Sequence, residues 1–469
     1  MEPFILSIDA GTTGITVVIL DKRASICKKY YSEFTQYYPQ SGWVEHDAEE
    51  IWTVTSNLIQ SAFKEYPPSN CAAIGITNQR ETTLIWDRET GKPIHKAIVW
   101  QCRRTQEICT NLKNAGYEKL FKGKTGLVID SYFSGTKIQW LLDHVDGARG
   151  KADSGKLAFG TIDSWLLWKL TGGSIHATDF TNASRTMIFN IDTKKWDEEL
   201  LQILTMPPTL LPDVKNSSGE FGKTDKQLFG KAIPITGIAG DQQAALYGQD
   251  CFETGESKCT YGTGCFLLIN TGDERVNSTS GLLTTIACNA DGNPIYALEG
   301  SVFIGGAVIQ WLRDELKLLA YASESEEMAL AVEDSNGVVI VPAFTGLGAP
   351  YWDMNARGII TGLSRGANRN HIVRAALESI AFQVYDLLES VSKDLDYDIA
   401  NLKVDGGAVA NNFLMQFQAD ILQINIDRPE NIESTALGAG MLAGLGVGFW
   451  KNPAELKAVR ETDQIFIPT

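Results

Sequence analysis

The stretch that decides the fold is FILSIDAGTTGITVVIL, residues 4–20. Two runs rich in aliphatic and β-branched side chains flank the small residues AGTTG, a pattern that predicts two strands joined by a Gly/Thr turn. Asp9 closes the first strand, and the turn after it exposes N–H and hydroxyl donors. Such a turn can hold phosphates while the carboxylate orients Mg²⁺ or its waters. An ordinary hairpin turn is the alternative that this segment alone leaves open.

The second half of the chain repeats this pattern. At residues 258–269, Gly262, Thr263 and Gly264 separate the strand-like runs KCTY and CFLLI. Residues 402–407 lead from another strand-like run through two glycines into a helical pattern, an arrangement suited to binding a nucleotide. We interpret the halves as duplicated α/β domains, residues 1–248 and 249–469, although two unrelated hairpins would look the same in these segments alone.

The composition is that of a folded, acidic protein. The 469 residues are 44% hydrophobic, which supplies ample apolar surface for a core. The net charge of −16 disfavours nucleic-acid binding through phosphate neutralisation. The N-terminus lacks the basic region of a signal peptide, and no apolar run reaches the roughly 20 residues of a membrane span, so membrane insertion is not expected. The eight cysteines lack zinc-ligand spacing and predict reduced thiols in the cytoplasm.

Other nucleotide-binding motifs are absent from the sequence. Gly-Lys-Thr occurs at residues 123–125 and 222–224, but Glu118 and Ser217 stand where a Walker A loop needs its first glycine. The chain also lacks the GxGxxG fingerprint and the catalytic loop of protein kinases. These observations exclude P-loop enzymes, Rossmann dehydrogenases and protein kinases.

A carboxylate begins a predicted helix in the segment GIAGDQQAA, residues 237–245. The ordinary interpretation of Asp241 is a helix cap. The functional alternative is a general base that accepts the proton of a substrate hydroxyl during phosphoryl transfer.

Several ordered segments together carry a resemblance to a known family. They are NQRETT at 78–83, WQCRRT at 100–105, YFSGTKIQW at 132–140, DQQ at 241–243, YGTGCF at 261–266, GIITGL at 358–363 and VDGGAVANN at 404–412. With Asp9, they resemble the members of the FGGY carbohydrate kinase family that phosphorylate glycerol. The resemblance covers the chain from Asp9 to about Trp450. It implies two ribonuclease H-like α/β domains of the actin and hexokinase superfamily, with the active site in the cleft between them.

The resemblance also implies a polyol site. In that site Arg80, Glu81, Tyr132, Asp241 and Gln242 bind glycerol hydroxyls, while Trp100 and Phe266 pack on the carbon chain. An uncharged triol needs both directed hydrogen bonds and apolar walls, which these residue types supply. Taken alone, Arg80 and Glu81 would be interpreted as an exposed charge pair and the two aromatic residues as core.

By the same resemblance, the nucleotide is bound by residues of both halves. They are Thr12, Thr13, Gly14 and Thr263 at the phosphates, and Gly306, Gln310, Gly407, Ala408 and Asn411 at the ribose or base. Asp9 and Asp241 would hold Mg²⁺. Gly14 stands where many relatives have Ser, and Thr16 where many have an Arg that reaches the phosphates.

The function that the resemblance implies is ATP-dependent phosphorylation of glycerol to sn-glycerol 3-phosphate, with Asp241 as general base. It also implies a homodimer or homotetramer. Two alternatives remain open: a kinase for another polyol or a ketose such as xylulose, and a catalytically weak ATP-binding sensor suggested by Gly14 and Thr16. The retention of Asp9, Asp241 and the polyol residues argues against the sensor.

Overall fold

The computed structural model describes residues 2–456 and 460–469, which form two compact units. The first unit falls within Met1–Asp250, Thr285–Tyr296 and Thr435–Val459. The second unit comprises Cys251–Thr284, Ala297–Ser434 and Arg460–Thr469. Each unit is therefore assembled from three separate segments of the chain.

A six-stranded sheet forms the centre of the first unit. Its strands are β1 Phe4–Ala10, β2 Gly14–Leu20, β3 Ile26–Glu33, β4 Cys71–Asn78, β5 Ser218–Lys223 and β6 Pro234–Gly240. They lie in the order β5-β6-β4-β1-β2-β3. Strands β1, β4 and β6 are parallel, and the others are antiparallel to their neighbours. The predicted hairpin is confirmed, with Ile5 opposite Leu20 and Ala10 opposite Ile15.

Eight of the described helices contribute to the cores or to the candidate site. They are α1 Ala48–Glu65, α2 Ser134–His144, α3 Ile162–Leu170, α4 Asp241–Gly248, α5 Ala307–Asp314, α6 Arg369–Asp394, α7 Asn412–Leu422 and α8 Ser434–Gly446. The segment IDSWLLW at residues 162–168 predicts a helix that starts at an Asp/Ser cap. That helix is α3, but the cap prediction is wrong. Thr161 is the N-cap residue and makes no side-chain capping bond. The buried Asp163 lies inside the first turn, because its carboxylate accepts hydrogen bonds from the hydroxyls of Thr161 and Thr178.

Both faces of the first sheet are covered. Ile8 and Ile76 share one apolar core with Ile51 of α1 and with Trp165 of α3. On the other face, the Ser7 hydroxyl donates to the Ala436 carbonyl of α8 at 2.6 Å. A sheet covered on both faces has continuous apolar runs rather than alternation, as the sequence of β1 and β2 shows.

The second unit contains a seven-stranded sheet. Its strands are β7 Ser257–Tyr261, β8 Cys265–Gly272, β9 Leu283–Cys288, β10 Pro294–Val302, β11 Asn401–Asp405, β12 Asn425–Pro429 and β13 Thr462–Phe466. Their order is β9-β10-β8-β7-β11-β12-β13. Strands β7 and β8 form the second predicted hairpin, and β7, β11 and β12 are parallel. The helical spacing of apolar residues from His371 to Val391 predicts a long helix, which is confirmed as α6 and begins with a capping box at Asn368. The helical pattern predicted after the two glycines is confirmed as α7.

Smaller elements complete the described structure. The remaining α-helices are Gln106–Asn114, Glu118–Thr125, Ala148–Asp153, Phe180–Ala183, Glu198–Ile203, Lys226–Phe229 and Glu324–Leu330. Short strand pairs include Leu84–Asp87 with Leu157–Gly160 and Val339–Val341 with Ile359–Thr361. None of the helices in residues 2–456 and 460–469 has the length and hydrophobicity needed to cross a bilayer.

Candidate active site

The carboxyl ends of the parallel strands in the first unit collect the predicted polar residues. Asp9 lies one residue before the end of β1, residues 79–81 follow β4, and Asp241 follows β6. Because β1, β4 and β6 are neighbours with the same direction, these segments meet at one edge of the sheet. Ligands of open α/β sheets commonly bind at this edge.

Arg80 links the members of this cluster. Its side chain is 1% exposed, and Nε lies 3.1 Å from Oδ1 of Asp241. Nη1 donates to Oε1 of Gln243 at 3.2 Å, and Nη2 donates to the Tyr132 hydroxyl at 3.5 Å. Gly240 leaves room for this side chain, since a Cβ there would lie 2.8 Å from the Arg80 side-chain carbons. The exposed-pair interpretation of Arg80 and Glu81 is therefore wrong.

Glu81 is held in an unusual backbone conformation. Its backbone angle φ is +60°, a value that residues other than glycine rarely adopt. The Glu81 carbonyl accepts from the hydroxyls of Thr83 at 2.8 Å and Ser134 at 3.1 Å, which fixes this conformation. The buried carboxylate pairs with Nε of Arg185 at 2.7 Å and lies farther, 3.9 Å, from Arg80. Sequence analysis missed Arg185, because the two partners are 104 residues apart and nothing local links them.

Asp241 is the first residue of α4, and the N-cap residue is Gly240. Its Oδ1 accepts from the N–H of Gln242 at 2.7 Å and faces Arg80. The carboxylate is 25% exposed, so it is open to a ligand while its position is held. Gln242, next in the helix, is buried.

Aromatic residues border the same cluster. The Trp100 indole donates to the Thr12 hydroxyl at 2.9 Å, and its ring meets the Tyr132 ring edge-on with 5.7 Å between centroids. The first unit thus brings Arg80, Tyr132, Trp100 and Thr12 into one chain of contacts. The remaining predicted wall residue, Phe266, is a buried residue of β8 in the second unit.

A buried histidine supports the Gly/Thr turn from behind. His46 is hydrogen-bonded to the side chains of Gln36, at 2.6 Å, and Gln79, at 3.3 Å. The side-chain amide of Gln36 donates to the Thr12 carbonyl, and that of Gln79 donates to the Gly11 carbonyl. Burial lowers the pKa of His46 to about 3. The ring is therefore neutral at physiological pH, so Nδ1 accepts from Gln79 and Nε2–H donates to Gln36.

The turn itself shows why residue 14 is a glycine. A Cβ on Gly14 would lie 2.8 Å from the Tyr31 ring and from the Ser32 carbonyl, so the neighbouring strand leaves no space for a side chain. Thr16 lies directly between Asp9 and Tyr31 in the sheet register. Thr13 is exposed at the tip of the turn.

The donor set fits a magnesium ion bound largely by water and phosphate. Among the residues that the structure describes, no three His, Cys, Asp or Glu side chains converge as a metal-ligand cluster. Magnesium in phosphoryl-transfer sites is commonly held by one or two carboxylates, waters and substrate phosphates rather than by a protein cage. Asp9 and Asp241, at the same sheet edge, match that requirement.

The second unit contains a cavity of about 410 Å³ at its own hairpin turn. All six residues assigned to the ribose, base or phosphates in this half line it together: Thr263, Gly306, Gln310, Gly407, Ala408 and Asn411. Backbone bonds set its shape, since the N–H groups of Gly305 and Gly306 donate to the carbonyls of Thr263 and Gly262 at 2.7 and 2.8 Å. A Cβ on Gly306 would lie 2.8 Å from the Gly262 carbonyl. Glycine therefore allows the turn and the start of α5 to approach.

Gly407, the second of the two glycines after β11, lines the cavity. Gly406 has φ +88°, and a Cβ there would lie 2.7 Å from the Tyr261 carbonyl. A Cβ on Gly407 would meet nothing within 4 Å. Asn411 caps α7 by accepting from Leu414 N–H at 2.9 Å, and its amide donates to the Ser325 hydroxyl at 3.2 Å. Its side chain thus shapes the wall as well as lining it.

Sequence analysis missed several lining residues. They include Ile309, Ser323, Ser325, Glu326, Leu377, Ile380 and Leu414. The apolar members have helical spacing, which predicts only that they are buried and does not distinguish a core from a cavity wall. The polar members belong to Glu324–Leu330 and the loop before it, where no motif marks them.

Comparison with protein families gives two adjoining matches. The N-terminal domain of the FGGY family of carbohydrate kinases matches residues 4–248, and the C-terminal domain of that family matches residues 257–447.

Individual relatives match over the whole chain. A glycerol kinase of Carboxydothermus hydrogenoformans is 60% identical, covering 100% of this chain and 94% of that protein. A glycerol kinase of Caldanaerobacter subterraneus is 57% identical, covering 100% and 95%. Among solved structures, Plasmodium falciparum glycerol kinase with ADP has a TM-score of 0.90 at 40% identity, with 100% and 94% covered. A xylulose kinase of Lactobacillus acidophilus, 23% identical with a TM-score of 0.88, shares the fold.

Proposed function

The chain belongs to the FGGY family of carbohydrate kinases, and on that basis we propose that it transfers the γ-phosphoryl group of ATP to glycerol. The products are sn-glycerol 3-phosphate and ADP. The observation that carries the proposal is the buried Arg80 guanidinium 3.1 Å from the partly open Asp241 carboxylate. This pair supplies a fixed donor and a proton acceptor at one sheet edge.

The first unit recognises the polyol. Arg80 donates to ligand hydroxyls, and the carboxylates of Glu81 and Asp241 accept from them. Burial makes these hydrogen bonds selective, because a ligand that lacks a matching hydroxyl leaves a buried charged group without its partner. Trp100 and Tyr132 supply apolar surface beside the polar groups. We assign Gln242 to the polyol hydroxyls and propose that Phe266 packs on the polyol carbon chain.

Asp241 accepts the proton of the hydroxyl that attacks the γ-phosphorus. A carboxylate can do so only while it is ionised, and a neighbouring guanidinium favours that state. In phosphoryl transfer the transition state is loose, so the acceptor mainly orients the nucleophile and takes the proton late. The hydrogen bond from Gln242 N–H, 2.7 Å, and the Arg80 contact hold the carboxylate in place for this role.

Asp9 and Asp241 would hold Mg²⁺ together with waters and phosphate oxygens. When bound, the ion neutralises charge that develops on the transferred group. The hydroxyls and N–H groups at Thr12 and Thr13, which the His46 network supports from behind, would hold the phosphates, with Gly14 at the start of β2.

The cavity of the second unit takes the nucleotide. Its 410 Å³ volume lies in the range of small-molecule sites, and its glycine walls let a ligand approach the backbone. We assign Thr263 to the phosphates and Gly306, Gln310, Gly407, Ala408 and Asn411 to the ribose or base.

Three further assignments belong to this proposal. We propose residues 1–248 as the polyol-binding domain and 249–469 as the nucleotide-binding domain. The homodimer or homotetramer stays a prediction, which light scattering on the purified chain tests. We place the protein in the cytoplasm, supported by eight free cysteines, seven of them buried.

Acceptor-dependent ADP release tests the function. The purified chain is given MgATP with glycerol, xylulose, ribulose, erythritol or no acceptor, and the phosphorylated product is identified. Release that depends on glycerol is expected. A preference for another acceptor would contradict the polyol assignment while leaving the family mechanism. ATP binding without stimulation by any acceptor would contradict the enzyme assignment itself.

A further inference from the structure

A buried lysine lies directly behind the polyol residues of the first unit. Lys137 belongs to α2, and its side chain is inaccessible to solvent. Its Nζ donates to the main-chain carbonyls of Tyr132 at 2.5 Å and Phe133 at 3.3 Å. Both acceptors are uncharged. Burial of an ammonium group costs free energy, which the carboxylates of Glu81 and Asp130 that face Lys137 offset only in part. The nearby N-terminus of α2 disfavours a cation further. Stability alone therefore does not account for this lysine.

The other side of the Tyr132 backbone is held by a charge of opposite sign. Tyr132 N–H donates to Oδ1 of Asp130 at 2.8 Å. Asp130 is buried, and the same oxygen accepts from Nη1 of Arg103 at 2.7 Å. Hydrogen bonds to charged groups are shorter and stronger than those between neutral groups. Both peptide groups of Tyr132 are thus fixed by buried charged side chains.

The fixed backbone determines where the Tyr132 side chain can lie. Its hydroxyl accepts from Arg80, its ring meets Trp100 edge-on, and the Arg185 guanidinium lies 5.6 Å from the ring centroid. A small shift of the Tyr132 backbone would move the hydroxyl away from Arg80. It would also disturb the apolar wall next to Trp100.

We propose that Lys137 and Asp130 form a clamp on the Tyr132 backbone, and that Lys137 is a positioning residue for recognition of polyol hydroxyls. The inference rests on the proposed function, which places Tyr132 at the polyol. Lys137 itself contacts no substrate in this scheme and acts through Tyr132.

The clamp makes glycerol affinity depend on pH. Burial lowers the pKa of Lys137 to about 8. The charged or ionisable groups that face it are Glu81, Asp130, Arg103 and Cys102. As pH rises through 8, Lys137 loses its positive charge, and its hydrogen bond to the Tyr132 carbonyl weakens. The Michaelis constant for glycerol therefore rises above pH 8.

The test measures kcat and the KM values of glycerol and ATP from pH 6.5 to 9. The variants are Lys137→Met, Cys102→Ser and Lys124→Met. For Lys137→Met we expect a glycerol KM about tenfold higher at pH 7, the effect of losing one charge-assisted hydrogen bond. Its glycerol KM should no longer change near pH 8, and kcat and the KM of ATP should change little.

The controls separate this role from a structural one. Lys124→Met makes the same substitution at a lysine paired with Asp197 on another helix, and it should keep the wild-type profile. Cys102→Ser removes the thiol that faces Lys137, and it must keep the pH dependence if Lys137 causes it.

Two results would overturn the clamp. The first is a wild-type glycerol KM that stays constant to pH 9, a result that does not depend on whether Lys137→Met folds. The second is an equal change in the KM values of glycerol and ATP in Lys137→Met. Absence of glycerol-dependent turnover in the wild type would instead overturn the proposed function and, with it, the clamp.

Discussion

The two units have the same arrangement of central strands but different residues at the carboxyl ends of the parallel strands. Each has an antiparallel hairpin, β1–β2 or β7–β8, whose first strand is followed across the sheet by two parallel strands and one antiparallel strand. In the first unit, charged side chains fill the edge, with Arg80, Glu81 and Arg185 all buried. In the second unit, glycines and backbone carbonyls surround a cavity of about 410 Å³.

Under the proposed function, one strand arrangement serves two kinds of recognition. A triol is small and polar, so it is recognised by several fixed donors and acceptors close together. A nucleotide is large, so it needs space and close approach to the backbone. The Gly/Thr turns are common to both units. We infer that the side chains beyond the turns set the ligand, and variants in each unit test that division.

The largest effect is expected for Asp241→Asn in the first unit. An amide cannot accept the hydroxyl proton, so kcat should fall by about a thousandfold. ADP binding should stay within about twofold, because the cavity that we assign to the nucleotide is in the other unit. Single-turnover kinetics and calorimetry measure the two quantities. Asp143→Asn, at an exposed carboxylate paired with Arg149, is the matched control. Substantial turnover by Asp241→Asn would remove Asp241 from the role of base.

Arg80→Ala should raise the KM of glycerol by about a hundredfold. The substitution removes donors from the ligand and leaves the buried carboxylate of Glu81 and that of Asp241 with one partner fewer, a loss of about 3 kcal/mol. The KM of ATP should change far less. Arg149→Ala, at an arginine on the surface, serves as the control. Equal losses for both substrates would contradict the assignment of Arg80 to the polyol.

Gly407→Leu tests the second unit by adding a side chain that fills its cavity, whereas the first two variants remove a functional group. A Cβ at this position meets no atom within 4 Å, so the fold should accept it while the side chain occupies the cavity. We expect a KM of ATP about tenfold higher, equivalent to about 1.4 kcal/mol, with the KM of glycerol little changed. Gly123→Leu places the same side chain in open space on a helix of the first unit. Unchanged nucleotide affinity in Gly407→Leu would contradict the assignment of the cavity.

The smallest effect concerns the His46 network that supports the first turn. The folded pKa of His46 is about 3, whereas an unfolded histidine titrates near 6.5. The unfolded state therefore binds the proton first as pH falls below about 6.5, and stability decreases with falling pH.

Between pH 7 and pH 5.5, His46 should account for a loss of about 1 kcal/mol in the free energy of unfolding. His46→Gln should reduce the loss by that amount in urea unfolding followed by tryptophan fluorescence. His176, whose pKa burial lowers to about 4, should still contribute its own part, so His176→Gln is the parallel variant. An identical pH dependence in wild type and His46→Gln would show that His46 does not stay neutral in the folded state.

The sequence located the elements of both units because their signals are local. The alternation of apolar runs and small residues at 4–20 and 258–269 predicted both hairpins, and helical spacing predicted α6 and α7. The α3 cap was mispredicted, since Asp163 is engaged by Thr161 and by the more distant Thr178. A local pattern could not show that partner.

By itself, the sequence determined the family, the strand–turn–strand elements and the residue types at the proposed site, because motifs are read along the chain. Only the tertiary structure decided that Arg80 and Glu81 are buried, that Arg185 pairs with Glu81 and that segments 285–296 and 435–456 belong to the first unit. It also decided that Lys137 and Asp130 hold Tyr132 from both sides. Burial and pairing arise from contacts between distant segments, and those contacts exist only once the chain has folded.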